Sequence, residues 1–183
     1  MNHLATSKED ILAASRDLIK ENGWAAVSIR AVASRCSVSA GTIYNYYESK
    51  ADLLSDTIES IWHEIFFHPE DEQVFHDVES CISWIYERLE YGNRQFPGFF
   101  SLHSFGFMRD EKTSGKKKMM KTWGHILNGL CEVLGNDPKV RADVFDQEFT
   151  EKKFADILFS LILVSMIRQD YDPSSVLMLV KKT

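Results

Sequence analysis

Residues 28–54 read SIRAVASRCSVSAGTIYNYYESKADLL, and this stretch decides the fold of the N-terminal third of the chain. Ser28 and Ser39 are of a residue type that favours the position just before the first turn of a helix. Between them, residues 36–38 (Cys-Ser-Val) interrupt the helical spacing of the apolar residues. The pattern therefore predicts two short helices joined by a tight turn, which is the arrangement of a helix-turn-helix unit.

Each predicted short helix has an apolar face and a polar face. The residues expected to point inward are Ile29, Val32, Ala33, Ile43 and Tyr47. The residues expected to point outward are Arg30, Arg35, Thr42, Tyr44, Asn45 and Tyr46. A second break at Glu48-Ser49 places Lys50 in the first turn of a longer helix, beside the two short ones.

This part of the chain resembles the N-terminal signature of the TetR/AcrR transcriptional repressors. The similarity lies in two runs, Val27-Ser28-Ile29-Arg30-x-Val32-Ala33 and Val38-Ser39-x-Gly41-Thr42-Ile43-Tyr44-x-Tyr46-Tyr47-x-Ser49-Lys50-x-x-Leu53-Leu54. It covers the first third of the chain only. The resemblance implies a ligand-responsive repressor that binds a palindromic operator as a dimer and is released by a small-molecule inducer.

Ten residues are predicted to contact double-stranded DNA: Ser28, Arg30, Ser39, Ala40, Gly41, Thr42, Tyr44, Asn45, Tyr46 and Lys50. Phosphate contacts are expected from Ser28, Tyr44, Tyr46 and Lys50. Base-edge or thymine-methyl contacts are expected from Arg30, Ala40 and Thr42, while Asn45 can pair with adenine and Gly41 permits close approach. The resemblance matches Arg30 to a base-contacting arginine and Lys50 to a phosphate-contacting lysine. An ordinary solvated helix surface is the alternative reading.

The charge of the chain is unevenly distributed. The formal net charge is −6, and it divides into +1 for residues 1–50, −10 for residues 51–111 and +3 for residues 112–183. A nearly neutral DNA-reading end with an acidic middle third would orient the molecule on DNA while weakening non-specific binding. The net acidity therefore does not exclude a DNA-binding protein.

The bulk properties of the 183 residues favour a globular, cytoplasmic protein. There is no run of about eighteen apolar residues and no apolar N-terminal stretch, so no membrane span or export signal is expected. Cys36, Cys81 and Cys131 lie far apart without metal-binding spacing, and buried free thiols or a redox sensor are the two readings. His63 and His68 are five residues apart, which splays them, so no metal or other cofactor is expected. No nucleophile elbow, phosphate loop or HExxH motif is present, and the chain is not expected to be an enzyme.

The apolar periodicity predicts an all-α fold of about nine helices. A helix-turn-helix DNA-binding domain is expected over residues 1–48, and a helical ligand-binding and dimerisation domain over residues 49–183. Two of the predicted helices are short, one within residues 97–108 and one from Asp137 to about Val144. No β pattern or internal repeat appears.

Aromatic and methionine residues are concentrated in the second domain. They predict a pocket between helices for an apolar or aromatic effector, which a cation would also suit because ring faces and carboxylates attract cations. The candidate lining residues are Phe66, Trp84, Tyr91, Phe99, Phe100, His103, Phe107, Met120, Trp123 and Leu127. Simple core packing is the alternative for most of them. A helical carrier or an enzyme that uses this pocket is the alternative function.

Residues 150–170 predict a helix that is apolar on nearly every side. Such a helix needs cover from its own domain on one face and from a partner on the other. A homodimer is therefore expected, with the partner surface shared between this helix and the helix over residues 119–134. The candidate interface residues are Leu130, Phe159, Leu163 and Met166.

Overall fold

The computed structural model describes residues 6–67, 75–100, 114–141 and 143–182; of residues 114–119, 121 and 122 it describes the backbone only. These ranges contain eight α-helices and no β-strand, which confirms the all-α prediction. The helices are α1 (Lys8–Asn22), α2 (Ile29–Arg35), α3 (Ala40–Tyr44), α4 (Lys50–Phe66), α5 (Val78–Gln95), α6 (Ser114–Asn136), α7 (Glu151–Arg168) and α8 (Ser174–Val180). No helix within them is both long and apolar enough to cross a lipid bilayer.

Side-chain caps set most of the helix starts. At six of the eight helices the side chain of the residue before the helix accepts a hydrogen bond from a backbone N–H of the first turn, which satisfies a donor that the helix leaves unpaired. The capping residues are Ser7, Ser28, Ser39, Ser49, Asp77 and Thr150. At α1 the cap is reciprocal, because the Asp10 carboxylate also accepts from the Ser7 backbone N–H at 2.8 Å.

Helices α1, α2 and α3 pack around apolar residues that belong to the hydrophobic core. Ile11, Ile19, Val32 and Ile43 are fully buried in it. The next helix, α4, lies against α1 and is held there by Glu64, whose carboxylate pairs with Arg16 at 3.0 Å and Lys20 at 2.7 Å. A further ion pair joins Lys8 to Asp56 at 2.6 Å, so both the middle and the last turn of α4 are held against α1.

Aromatic rings join the two ends of the molecule. Trp62 of α4 packs on Phe99 at 5.3 Å and on Phe100 at 5.6 Å between ring centroids. Phe99 also stacks on Trp24, in the short 3-10 turn after α1, at 5.8 Å. Arg88 of α5 donates hydrogen bonds to the backbone carbonyls of Ile65 and Glu64, and so satisfies the C-terminal end of α4.

The predicted helix from Asp137 to Val144 is wrong. The described residues there form turns, and the Asp137 carboxylate bonds to a residue that is distant in sequence. It accepts hydrogen bonds from the backbone N–H groups of Val78 and Lys139, both at 2.8 Å, and so anchors the start of α5. In the other predicted short helix, residues 97–100 form a turn, and residues 101–108 lie outside the described residues.

Candidate DNA-binding and effector sites

The turn between α2 and α3 sets the geometry of the helix-turn-helix unit (α2 and α3), which is the candidate DNA-reading unit. Ser37 adopts a left-handed conformation with φ of 57°, which reverses the chain within a few residues. The Val38 N–H then donates to the Ala33 carbonyl at 2.9 Å and closes the turn. Ser39 caps α3 immediately afterwards by accepting from the Thr42 N–H at 3.2 Å. The predicted helix-turn-helix spacing is therefore present in the structure, although α3 ends at Tyr44.

The two outward arginines of α2 differ in their surroundings. Arg35 donates to the Glu21 carboxylate at 2.8 Å and lies 4.0 Å from Asp17, and the pairing with Glu21 raises the pKa of its guanidinium. Arg30 is exposed and makes no ion pair within the described residues, and the same is true of Lys50 at the start of α4. Arg30 and Lys50 are therefore the cations of this surface that are left for a partner.

The remaining predicted DNA-contacting residues are distributed as follows. Tyr44 is 56% exposed, and Gly41 and Asn45 are exposed beside it. The Ser28 and Ser39 hydroxyl oxygens are already used as helix caps, and the Thr42 hydroxyl lies 3.0 Å from that of Ser39. Ala40 is half-buried.

The expectation that Tyr46 is free to face a partner is wrong. Its hydroxyl donates to the Thr6 carbonyl at 2.7 Å, and its ring is partly buried. The partner residue lies forty positions away in sequence, so helical periodicity could not reveal this contact. Tyr46 therefore ties the end of the reading unit to the start of α1.

A cavity of about 710 Å³ lies between the last turn of α4, the first half of α5 and the second half of α6. Its volume is within the range of small-molecule sites. The lining residues are Phe66, Phe67, Phe75, His76, Cys81, Trp84, Ile85, His125, Ile126, Gly129, Leu130, Glu132, Val133, Asn136 and Pro138. The sequence predicted Phe66 and Trp84 among them.

Other predicted pocket residues serve the core or the surface. Phe99 and Phe100 are each 1% exposed, which supports the core-packing reading for them. The Tyr91 ring lies under the Arg88 guanidinium at 4.5 Å, and Trp123 packs on Phe159 at 5.8 Å. Met120 is exposed, Leu127 packs against the core outside the cavity, and His103 and Phe107 lie outside the described residues.

The sequence reasoning missed the α6 wall of the cavity. His125, Gly129, Glu132 and Asn136 recur at helical spacing and all line it. Their mixed polarity hides this spacing, because a pattern of apolar residues alone does not include them. Cys81 was also missed as a lining residue; it is a free thiol whose burial raises its pKa to about 12, so it stays protonated at neutral pH. The described ranges contain no group of three or more acidic, histidine or cysteine side chains placed to hold a metal.

Helix α7 has an apolar outward face that differs from the predicted one. Leu130 of α6 and Met166 of α7 are 1% and 2% exposed, so these two cannot belong to a partner surface as the sequence suggested. Phe159 and Leu163 are half-buried. The exposed apolar residues of α7 are instead Ile157, Val164 and Ile167, and Ser160 lies exposed between them at helical spacing.

In the ranges that the structure describes, the protein is all-helical, with an exposed helix-turn-helix unit in front of a helical region that contains a cavity, an arrangement typical of DNA-binding regulators. Residues 11–57 match the family described as bacterial regulatory proteins, tetR family. Over 48 residues the chain is 38% identical to the HTH-type transcriptional regulator UidR of Escherichia coli K12, which covers 26% of this chain and 24% of that protein. The chain thus matches about a quarter of the length of this curated relative. Residues 11–57 therefore carry the DNA-binding region typical of the TetR family, and this match does not extend into the rest of the chain.

Solved structures share the fold along most of the chain. A TetR transcription regulator from Haloarcula marismortui aligns with a TM-score of 0.69 and 18% identity, covering 95% of this chain and 93% of that one. RolR in complex with resorcinol aligns with a TM-score of 0.60 and 16% identity, covering 94% and 86%. FadR from Bacillus halodurans, a fatty acid degradation regulator, aligns with a TM-score of 0.60 and 20% identity, covering 95% and 92%. At these identities the likeness concerns the fold alone.

Proposed function

We propose that this protein is a ligand-responsive transcriptional repressor, which binds a palindromic operator as a homodimer and leaves it when a small molecule fills the cavity. One observation carries the proposal: α4 connects the two sites. Lys50 is its first residue, beside the reading unit, and Phe66 is its last residue, in the cavity wall. A helix of this length spans about 25 Å and moves as a rod. A ligand that displaces its last turn therefore displaces Lys50.

The DNA-binding part of the proposal rests on two cations that no carboxylate neutralises within the described residues. Arg30 and Lys50 are exposed without ion pairs in the described ranges, on a surface that also presents Tyr44 and Asn45. Cations positioned on a helix-turn-helix unit release counterions from DNA phosphates, which is the main source of affinity. Arg30 on α2 reads base edges, and Lys50 and Tyr44 contact phosphates.

The dimer part of the proposal rests on the exposed apolar residues of α7. Ile157, Val164 and Ile167 are 44%, 42% and 53% exposed and form one outward stripe. Burying such a stripe against its copy removes apolar surface from water, and the exposed Ser160 lets the two backbones come close. A two-fold axis there presents two reading units to successive major grooves, about 34–36 Å or a multiple of this apart. In this arrangement residues 1–48 form the DNA-binding domain, and residues 49–183 form the ligand-binding and dimerisation domain.

The effector part of the proposal rests on the lining of the cavity. Its walls are mostly apolar and aromatic, and its polar groups are few, as in small-molecule sites generally. RolR has the same fold and was solved with resorcinol, which supports a site for a small molecule in a helical domain of this kind. We propose a regulatory role for the cavity in preference to the carrier or enzyme alternative, because its wall includes the end of α4.

Selection of bound sequences from a random double-stranded DNA library tests the proposal. The wild-type protein is expected to enrich a palindrome, and a variant with both Arg30→Ala and Lys50→Ala is expected to enrich nothing. The variant with Arg35→Ala is the matched control, since Arg35 is already paired with Glu21. An enzyme would be supported instead by two results together. The DNA recovered by the wild-type protein would show no enriched sequence and no dependence of binding on salt, and a compound bound in the cavity would be turned over.

A further inference from the structure

The effector cavity has two unlike walls. The wall built by α4 and α5 is aromatic: Trp84 lies between Phe66, at 5.8 Å, and Phe75, at 5.2 Å between ring centroids. All three rings line the cavity, and Trp84 is only half-buried. The edges and faces of these rings suit an added aromatic ring, because ring edges and faces attract each other electrostatically.

The opposite wall, on α6, presents hydrogen-bond acceptors. Glu132 and Asn136 lie one turn apart on this wall, and both are exposed. The Asn136 amide nitrogen donates to the Glu132 backbone carbonyl at 2.8 Å, which directs the amide group and leaves its oxygen as the available atom. In the ranges that the structure describes, no donor contacts that oxygen or the Glu132 carboxylate.

The room in the cavity and the charge of its lining residues restrict the size and the charge of the ligand. Gly129 lies between His125 and Glu132 on the same face, and a Cβ added to it would meet nothing within 4 Å. The cavity therefore extends to the α6 backbone at this point, where a flat ring system has room. No lysine or arginine is among the described lining residues, so an anion would meet the Glu132 carboxylate without a compensating cation.

We infer that the effector is an aromatic compound that carries a hydrogen-bond donor, either a phenolic hydroxyl or an ammonium group, and no negative charge. Its ring packs against Phe66, Phe75 and Trp84, and its donor bonds to the Glu132 carboxylate and the Asn136 amide oxygen. The inference rests on the proposed regulatory function of this cavity, and it adds the chemical class of the ligand.

A series of four naphthalene compounds tests it by titration calorimetry with the full chain. 2-Naphthol and 2-naphthylmethylamine carry donors; 2-methoxynaphthalene has none, and 2-naphthoate is an anion. At least one of the two donor compounds is expected to bind with at least about tenfold higher affinity than both 2-methoxynaphthalene and 2-naphthoate, the effect of one hydrogen bond to a charged group. Comparable binding of 2-naphthoate or 2-methoxynaphthalene, or no binding of either donor compound, would overturn the inference. The two donor compounds also distinguish a phenol from an amine.

Two pairs of variants locate the binding. Glu132→Ala is expected to weaken the donor compounds about tenfold and leave 2-methoxynaphthalene unchanged, whereas Glu90→Ala, an exposed acid outside the cavity, changes neither. Gly129→Leu fills the cavity and abolishes binding, while Gly124→Leu on the same helix does not. Full affinity of the donor compounds for the Glu132→Ala or Gly129→Leu variant would also refute the assignment.

DNA binding by the unliganded protein is measured separately. If DNA binding is present and the donor preference is absent, only the ligand class is wrong. If no DNA is bound, the proposed function fails, whatever the cavity binds.

Discussion

Gly92 of α5 lies so close to Ile65 of α4 that a Cβ on Gly92 would be 2.5 Å from the Ile65 Cδ1 atom. Ile65 is fully buried, and the Phe100 ring closes the same space at 3.1 Å. Substituting Gly92→Ala therefore overpacks this crossing by about 1–3 kcal/mol, of which improved helix propensity offsets up to about 1. Chemical denaturation should show a net loss of stability. Gly124→Ala, where a Cβ meets nothing within 4 Å, should be neutral or stabilising.

Arg30 and Lys50 should affect DNA binding in different ways. Arg30→Ala is expected to lose about 1–3 kcal/mol for the selected operator and to relax base preference. Lys50→Ala is expected to weaken all sequences similarly and to lower the salt slope by about one unit. Fluorescence anisotropy on selected and scrambled DNA at several salt concentrations measures both. If Arg30→Ala weakens the two DNAs equally, Arg30 does not read bases.

Removing the hydroxyl group of Tyr44 and that of Tyr46 should have different effects on folding stability and DNA affinity. Tyr46→Phe removes the hydrogen bond to the Thr6 carbonyl and should cost about 0.5–1.5 kcal/mol of folding stability. Tyr44→Phe removes a hydroxyl from an exposed side chain, so stability should stay unchanged while DNA affinity falls. Thermal unfolding and DNA titration of both variants check this. The reverse pattern would show that Tyr46 is the phosphate contact.

Asp77 should make stability depend on acidity. Hydrogen bonds from the Ser80 backbone N–H at 2.7 Å and from Lys139 at 3.0 Å lower the pKa of its carboxyl to about 2. Because the pKa is lower in the folded protein than the ordinary value of 3.8, this stabilisation is complete above about pH 4 and is lost as the pH falls towards 2. Asp77→Asn keeps a capping side chain but cannot titrate.

The Asp77→Asn variant should therefore lose less stability than the wild type between pH 4 and about pH 2. Thermal melts at both pH values measure the difference. Glu90→Gln, which removes one exposed charge elsewhere on α5, is the control. Parallel losses in the wild type and the Asp77→Asn variant would show that the Asp77 carboxylate does not contribute to acid sensitivity.

Val164 tests the dimer. Val164→Glu places a charge in the middle of the α7 stripe and should produce folded monomers that lose tight operator binding, because an unpaired charge in an apolar interface is costly. Val164→Thr, of nearly the same size, is the control and should remain mostly dimeric. Light scattering at micromolar concentration decides the outcome. A monomeric wild type, or a dimeric Val164→Glu variant, would contradict the proposed interface.

The sequence alone determined where α2, α3 and α4 start and the geometry of the helix-turn-helix unit. Ser28, Ser39 and Ser49 each bond to a backbone N–H three residues away, so the signal and the structure it produces lie in the same short segment. The all-α class follows from apolar spacing for the same local reason.

Only the tertiary structure decided how side chains were shared between core, cavity and surface. Asp137 bonds to Val78 and Tyr46 bonds to Thr6, contacts of 59 and 40 residues in sequence separation, and no local pattern encodes them. The apolar character of Phe66 and Phe100 predicts that both are buried, but it cannot show that one lines a cavity and the other fills the core. That distinction depends on where neighbouring helices lie, because a side chain is a cavity wall only where nothing packs opposite to it.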